Sequence, residues 1–142
     1  LHRRRHSFPT RRSSDLYREL GRVPAKTLTA HGDYSYESGK REMARLLEEQ
    51  PDIDGVFACN DLMALGAIAA IEEKGLSVPG DVAVIGFDDS LVAQTSRPGL
   101  TTVRQDIVAL GEAAAELMIA QLRNETVEPR ILPTELVIRE SA

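Results

Sequence analysis

Val82-Ala-Val-Ile-Gly-Phe-Asp88-Asp89 is a run of β-forming apolar residues that ends abruptly at two carboxylates. The same pattern occurs at Gly55-Val-Phe-Ala-Cys-Asn60-Asp61, and in weaker form at Thr27-Leu-Thr-Ala-His-Gly-Asp33-Tyr34. Helical patterns follow these two earlier segments. Repetition of strand, polar tip and helix predicts an α/β fold with a parallel, doubly wound sheet. Because ligands bind beyond the carboxyl ends of such strands, the three polar tips are predicted to share one ligand-binding rim.

Composition and charge limit the possible classes of protein. The chain has 142 residues, of which 42% are hydrophobic and 27% charged, enough for one globular domain or most of one. Of the net charge of −5, residues 1–16 carry +4, so the rest carries −9. An acidic body argues against direct nucleic-acid binding. The single cysteine, Cys59, excludes an internal disulfide, and no apolar run approaches the ~20 residues of a membrane helix.

The first sixteen residues, LHRRRHSFPTRRSSDL, have no helical or strand periodicity. We predict residues 1–16 to be a non-native or disordered leader. A basic arm for nucleic acid or a targeting segment is the alternative. The fold is therefore predicted from residues 17–142.

Periodicity and capping signals predict the order of elements along the rest of the chain. A helix ends at Gly21 and a strand spans Lys26–His31. A helix over 36–49, capped by Ser35, and a strand over 56–59 follow. The next helix is capped by Asn60 or Asp61 and ends at Gly75, and a strand over 82–87 and an irregular stretch to Leu100 come after it. The chain ends with a short strand over 101–103, a helix over 107–124 and a strand over 131–139 that Pro133 limits to an edge.

The polar tips offer candidate ligand contacts: Asp33, Asn60, Asp61, Asp88 and Asp89. Short side chains with well-placed acceptors suit sugar hydroxyls and nucleobase edges. The structural alternative is that Asn60 and Asp61 cap a helix and that Asp88 and Asp89 form a turn. Tyr34 could stack on a flat ligand, although a tyrosine in an exposed loop is equally common.

Two enzymatic interpretations have little support. A carboxylate cluster at strand ends could bind Mg²⁺, but no lysine stands at any of the three tips. Cys59 could act as a nucleophile with His31, although a cysteine at a strand end is more often a small packing residue. We therefore predict no catalytic residue, no metal site, no cofactor and no enzymatic activity.

Four motifs together resemble the effector-binding core of LacI/GalR-type transcriptional regulators: Gly32-Asp-Tyr-Ser-Tyr-Glu-Ser-Gly39, Ala58-Cys-Asn-Asp-Leu-Met-Ala-Leu-Gly66, 78–89 (VPGDVAVIGFDD) and 98–106 (PGLTTVRQD). Their order and spacing agree from about Tyr17 to the C-terminus. The resemblance implies a periplasmic-binding-protein-like type I fold of two lobes. The chain would supply the C-terminal lobe, and residues 103–125 would form a return helix toward the missing N-terminal lobe.

The resemblance also implies roles for individual residues. Tyr34 is similar to an aromatic residue that stacks on the effector, Asn60 to an effector-contacting amide and Asp88 to a carboxylate that grips hydroxyls or a base. Gln105 would lie near the mouth of the cleft. With Asp33 from the rim, these residues form the predicted ligand site. The helix that carries Leu62, Leu65 and Ile68 resembles part of a dimer interface.

One departure from the family concerns an arginine that binds the effector in members, three residues before a glycine–aromatic pair. Here the pair reads Leu16-Tyr17, and Ser13 occupies the arginine position.

The resemblance leads us to expect a cytoplasmic homodimer that binds a small effector, either a sugar or a nucleobase-like molecule. The protein is expected to contact operator DNA only through a missing N-terminal helix-turn-helix, and to have no membrane partner. The alternative is a periplasmic sugar-binding protein of an uptake system.

Overall fold

The structure, a computed structural model, describes Glu19 and residues 28–142. The chain divides into two units, Leu1–Ala30 and His31–Ala142. In the first unit Glu19 is helical, and the predictions for residues 1–16 and for the remainder of 17–27 lie outside the described residues. The predicted strand Lys26–His31 is wrong over its described part. Residues 28–31 form no strand, because none of the described strands pairs with them.

The second unit alternates helices and strands from Tyr36 onward. In chain order it contains α1 (Tyr36–Glu49), β1 (Gly55–Phe57), α2 (Asp61–Glu73), β2 (Ala83–Asp88), α3 (Leu91–Thr95), β3 (Thr101–Gln105), α4 (Ile107–Leu122) and β4 (Thr134–Val137). Ser35 caps α1 by accepting a hydrogen bond from the N–H of Ser38, and Asn60 caps α2 in the same way through Met63. Gly75, at φ +78°, follows the end of α2 as predicted.

The four described strands form one sheet in the order β1-β2-β3-β4. β1, β2 and β3 run parallel, with Val56 opposite Val84 and Asp88 opposite Arg104. β4 runs antiparallel to β3 at the edge, where Pro133 predicted it. This arrangement confirms the predicted parallel α/β class and adds one antiparallel edge strand.

The core lies between helices α1 and α2 and one face of this sheet. Its fully buried members are small or aliphatic: Met43, Leu47, Ala58, Ala64, Ala67, Ile68, Ala70, Ile71, Val82, Val84, Ala93 and Leu100. Along β2, Val84 and Gly86 are buried and their neighbours are only half-buried. The continuous apolar run predicted burial on both faces of this strand, but only one face is fully buried. Phe87 alternates with the two buried residues and makes an edge-to-face contact with Phe57 of β1, with ring centroids 6.5 Å apart.

Of the two later segments, the first differs from the prediction and the second is the predicted helix. The stretch after Asp89 was expected to be irregular, but it contains the short helix α3. Helix α4 presents large apolar side chains to solvent, among them Val108, Met118 and Leu122, each more than 60% exposed. Its role as a return helix stays a prediction. No helix among the described residues is long and apolar enough to cross a membrane.

Helices α1 and α2 approach each other so closely that only glycine fits at two positions. A Cβ atom added to Gly39 would lie 2.2 Å from the carbonyl oxygen of Met63. A Cβ atom added to Gly66 would lie 2.1 Å from the carbonyl oxygen of Tyr36 and 2.7 Å from the amide nitrogen of Lys40. Because these neighbours are backbone atoms, they cannot move aside without displacing a helix. This contact fixes α2, and with it the polar tip that precedes α2.

Replacing Gly66 by alanine is expected to destabilise the fold by about 2 kcal/mol or more, because the overlap with α1 exceeds the gain in helix propensity. Urea denaturation of the intact protein measures the change. Gly111→Ala is the matched control, since nothing lies within 4 Å of its added Cβ. That variant should be neutral or up to about 1 kcal/mol more stable. Equal behaviour of the two variants would contradict the close contact.

Candidate functional site

The predicted polar rim exists at one edge of the sheet. Because β1, β2 and β3 are parallel, their carboxyl ends reach the same edge. Asn60 follows β1, Asp88 ends β2 and Gln105 ends β3. All three side chains are half-buried, so each keeps some surface for a ligand.

Asp88 is held in an unusual backbone conformation. Its φ angle is +112°, and that of Asp89 is +55°, a region that residues with a Cβ atom rarely adopt. The side-chain amide of Gln105 donates a hydrogen bond of 2.7 Å to Oδ1 of Asp88. The second carboxylate oxygen of Asp88 is therefore the one best placed to accept a ligand hydroxyl.

Asn60 and Tyr34 are tied together. Asn60 Oδ1 accepts from the N–H of Met63 at 2.9 Å, so the capping alternative is correct for this atom. Asn60 Nδ2 donates to the carbonyl oxygen of Tyr34 at 2.8 Å. Tyr34 has φ +67° and its side chain is 66% exposed. The tip after β1 thus holds the Tyr34 main chain while leaving the aromatic ring accessible.

Asp33 is committed to its own loop. Its Oδ1 accepts hydrogen bonds from both the hydroxyl and the N–H of Ser35. Hydrogen bonds from the side chains of Ser35 and Ser38 and from the Ser35 amide lower the pKa of Asp33 from 3.8 to about 2. The carboxylate organises the start of α1, and its predicted contact with a ligand stays a prediction.

Asp61 is not on the accessible rim. Its side chain is buried at 1% exposure. Oδ2 accepts from the N–H and the hydroxyl of Ser90, both at 2.7 Å, and Oδ1 accepts from the hydroxyl of Thr102 at 2.6 Å. Although Asp61 is among the candidate contacts predicted from the sequence, these three hydrogen bonds, from the loop after β2 and from β3, occupy it. Neither Ser90 nor Thr102 was predicted to pair with Asp61.

Asp89 is likewise enclosed by partners that the sequence did not reveal. Arg104 Nε and the terminal Nη2 of Arg139 each lie 2.6 Å from one of its carboxylate oxygens, and its side chain is 3% exposed. Burial raises the pKa of Asp89, but the hydrogen bonds from the two guanidinium groups outweigh this effect and hold it below its ordinary value. Arg139 lies fifty residues from Asp89 along the chain, so no local pattern indicates the pairing.

The same contacts involve the carboxylates that were considered for a metal site. Two of the rim carboxylates, Asp61 and Asp89, are already compensated by hydroxyls or arginines. Among the described residues no group of three or more His, Cys, Asp or Glu is placed to hold a metal ion. Cys59 is exposed rather than packed, which corrects the expectation of a packing role.

The predicted dimer residues differ widely in exposure. Leu62 is 44% exposed, Leu65 is half-buried against the core and Ile68 is 4% exposed within the core. Of the three, Leu62 offers most surface to another chain. A role in dimerisation stays a prediction.

The rim is open rather than enclosed. A groove of about 280 Å³ lies between α4 and the segment before β4, lined by Gln105, Leu110, Leu117, Arg130 and Pro133 among others. It includes none of Tyr34, Asn60 and Asp88. These three residues lie outside that groove, where Tyr34 is exposed and Asn60 and Asp88 are half-buried.

Comparison with known proteins identifies the class to which this fold and rim belong. A model of the periplasmic binding protein-like domain matches residues 2–142. The HTH-type transcriptional regulator CelR of Thermobifida fusca is 43% identical over 118 residues, which are 82% of this chain and 35% of CelR.

Two solved structures agree. A CelR–cellobiose complex superimposes with a TM-score of 0.82 at 41% identity, covering 89% of this chain and 39% of that one. The lac repressor dimer bound to operator and the anti-inducer ONPF gives a TM-score of 0.72 at 35% identity, covering 78% and 34%. The chain belongs to the periplasmic binding protein-like domain family and corresponds to the C-terminal part of the effector-binding domain of LacI-type regulators. It spans about a third of the length of these relatives.

The low pKa of Asp33 predicts a pH dependence. A depressed pKa means that the ionised form stabilises the fold above about pH 4, and that this stabilisation is lost as the pH falls from 3.8 toward 2. Ser35→Ala should return the pKa toward 3.8, measured by NMR titration of the Asp33 carboxyl. The pKa of Asp81, which is lowered by Ser77, should not change and serves as the internal reference. An unchanged Asp33 titration would contradict the assignment.

Asp61→Asn is expected to destabilise the protein by about 2 kcal/mol or more, because the new amide group would meet buried donors. The change is measured by urea denaturation. Asp81→Asn is the control, since Asp81 also accepts from the N–H and hydroxyl of a serine, Ser77, but at an exposed turn. Its effect should be clearly smaller. Comparable losses in the two variants would show that burial of Asp61 does not matter.

Proposed function

We propose that this chain is the effector-binding part of a DNA-binding transcriptional regulator, and that its effector is a small sugar. The observation that carries the proposal is the half-buried Asp88 carboxylate at the carboxyl end of β2, of which one oxygen accepts a hydrogen bond from Gln105. A carboxylate in this setting accepts hydrogen bonds from sugar hydroxyls. The CelR–cellobiose complex, which shares this fold, supports a sugar as the class of ligand.

The other rim residues suit a pyranose ring. The exposed Tyr34 ring can cover the apolar face of a sugar, and Asn60, whose carbonyl oxygen is used in capping, retains a second amide hydrogen for a hydroxyl. Because the rim is an open wall, we propose that a second lobe closes over the ligand. The glucose disaccharide cellobiose, bound by the relative CelR, is the first ligand to test.

We propose that the effector acts by shifting the angle between the two lobes of a homodimer. Such a shift changes the spacing of two DNA-binding heads and thereby the affinity for operator. The ligand must bind one lobe arrangement more tightly than the other. The lac repressor dimer on its operator supports this arrangement, and the acidic body of this chain is consistent with DNA contacts made elsewhere in the protein. The protein would then act in the cytoplasm without enzymatic activity.

The second candidate function is a periplasmic sugar-binding protein of an uptake system, which the periplasmic binding protein-like family match also accommodates. The rim chemistry would be the same. The two functions differ in DNA binding, which a gel-shift assay with the intact protein measures. If the protein retards operator DNA and cellobiose changes that retardation, the regulator is supported. Sugar binding without any DNA affinity would support the transport role.

Asp88→Ala is expected to weaken cellobiose binding at least tenfold, because a charge-assisted hydrogen bond contributes about 1.5–3 kcal/mol. Isothermal titration calorimetry of the intact protein measures the affinity, and size-exclusion chromatography checks that assembly is unchanged. Asp52→Ala, an exposed carboxylate in the turn after α1, is the control and should bind as the wild type does. Unchanged affinity in Asp88→Ala would remove Asp88 from the site.

A further inference from the structure

The backbone at the end of β2 needs an external restraint. Asp88 and Asp89 are consecutive residues with a Cβ atom, and both have positive φ angles, +112° and +55°. Such conformations persist only when the surrounding structure holds them, and they cluster at ligand sites. Here they set the direction of the Asp88 side chain, because Asp88 stands at the point where the chain leaves the sheet.

Asp89 provides that restraint by joining two arginines from separate segments. Its Oδ1 lies 2.6 Å from Arg139, which follows β4, and its Oδ2 lies 2.6 Å from Arg104 on β3. The Asp89 side chain is 3% exposed and that of Arg139 is 18% exposed, so solvent screens their attraction little. Arg104 is 48% exposed and also contacts Glu135 at 3.3 Å, which makes it the weaker partner.

Arg139 is itself firmly placed. Its guanidinium donates a second hydrogen bond, of 2.8 Å, to the carbonyl oxygen of Leu100, and its backbone N–H donates to the hydroxyl of Thr101 at 2.9 Å. Two residues later, Ser141 is fully buried and donates to the carbonyl oxygen of Val84 in β2. These hydrogen bonds attach the segment after β4 to β2 and to the start of β3. They keep the Arg139 guanidinium in a fixed position beside Asp89.

From this arrangement we propose that Arg139, assisted by Arg104, is a positioning residue for the ligand-binding carboxylate of Asp88. Arg139 acts through Asp89, whose φ angle it locks, and it does not contact the ligand. This inference rests on the proposed role of Asp88 in ligand binding. Without Arg139 the buried Asp89 carboxylate loses its main partner, the backbone relaxes, and Asp88 turns away from Gln105 and from the ligand.

Arg139→Gln in the intact protein tests the proposal with two readouts. The first is the side-chain amide resonance of Gln105 in the absence of ligand, assigned by its loss in Gln105→Ala, which reports the hydrogen bond to Asp88. The second is the affinity for cellobiose by calorimetry. We expect the amide resonance to move toward that of a free glutamine and the affinity to fall roughly tenfold, as for other groups that orient a ligating side chain.

Arg97→Gln is the matched control, because it makes the same change on an exposed arginine that bonds to the carbonyl oxygen of its neighbour Ser96. Neither readout should change in that variant. If Arg139→Gln does not fold, Arg139→Lys gives the readout, since lysine keeps the charge beside Asp89 but cannot also reach Leu100. In Arg139→Lys, the Gln105 amide shift and the affinity for cellobiose should lie between those of the wild type and those of Asp88→Ala.

The outcomes separate this inference from the proposed function. A folded Arg139→Gln or Arg139→Lys protein with the wild-type Gln105 resonance would overturn the positioning role. A moved resonance with unchanged cellobiose affinity would overturn it as well, since Asp88 would then not need its orientation. If the wild-type protein does not bind cellobiose but the Gln105 resonance still moves in Arg139→Gln, the proposed sugar is refuted and the positioning of Asp88 is supported.

Discussion

The buried carboxylate of Asp61 is the group on which the rim depends. It sits at the first turn of α2, yet its hydrogen bonds reach Ser90 beyond β2 and Thr102 within β3. A carboxylate at 1% exposure is tolerated only when its lone pairs are occupied, and here three donors occupy them. The same bonds therefore join the segments that follow β1 and β2 to the first half of β3. The close approach of α1 and α2 at Gly39 and Gly66 fixes the position of α2, and therefore the position of Asp61 beside the sheet.

Adjacent residues in the tip after β2 divide the tasks of binding and support. Asp88 keeps surface for a ligand, Asp89 pairs with two arginines, and Ser90 donates to Asp61. In the proposed site a neutral ligand such as a sugar would face the single charge of Asp88, because the charge of Asp89 is compensated within the protein. The rim is fixed before a ligand arrives, so little ordering accompanies binding.

Most of the fold could be predicted from the sequence. Periodicity and capping residues located α1 with its Ser35 cap, α2 with its Asn60 cap, the strands near 56 and 83, and the edge position of β4. The failures share a cause. The segment 28–31 has β-forming residues but is not a strand in the described part of the chain, and α3 is too short for periodicity to reveal. Strand formation depends on neighbours across the sheet, and a five-residue helix depends on the loop that holds it.

The pattern of residues is enough to predict that polar side chains follow the strands, because the alternation of apolar runs with polar residues is local and parallel strands bring those residues to one edge. Which of these polar residues remain accessible depends on contacts made by distant parts of the chain. Asp61, Asp88 and Asp89 have the same residue type and similar positions at strand ends, and only the family resemblance singles out Asp88. In the structure, distant donors occupy the buried carboxylates of Asp61 and Asp89. Arg139 lies beyond any local pattern, so its pairing with Asp89 exists only after the chain has closed on itself. Long-range contacts, rather than residue type, decide which of these carboxylates is compensated within the protein and which is left for the proposed ligand.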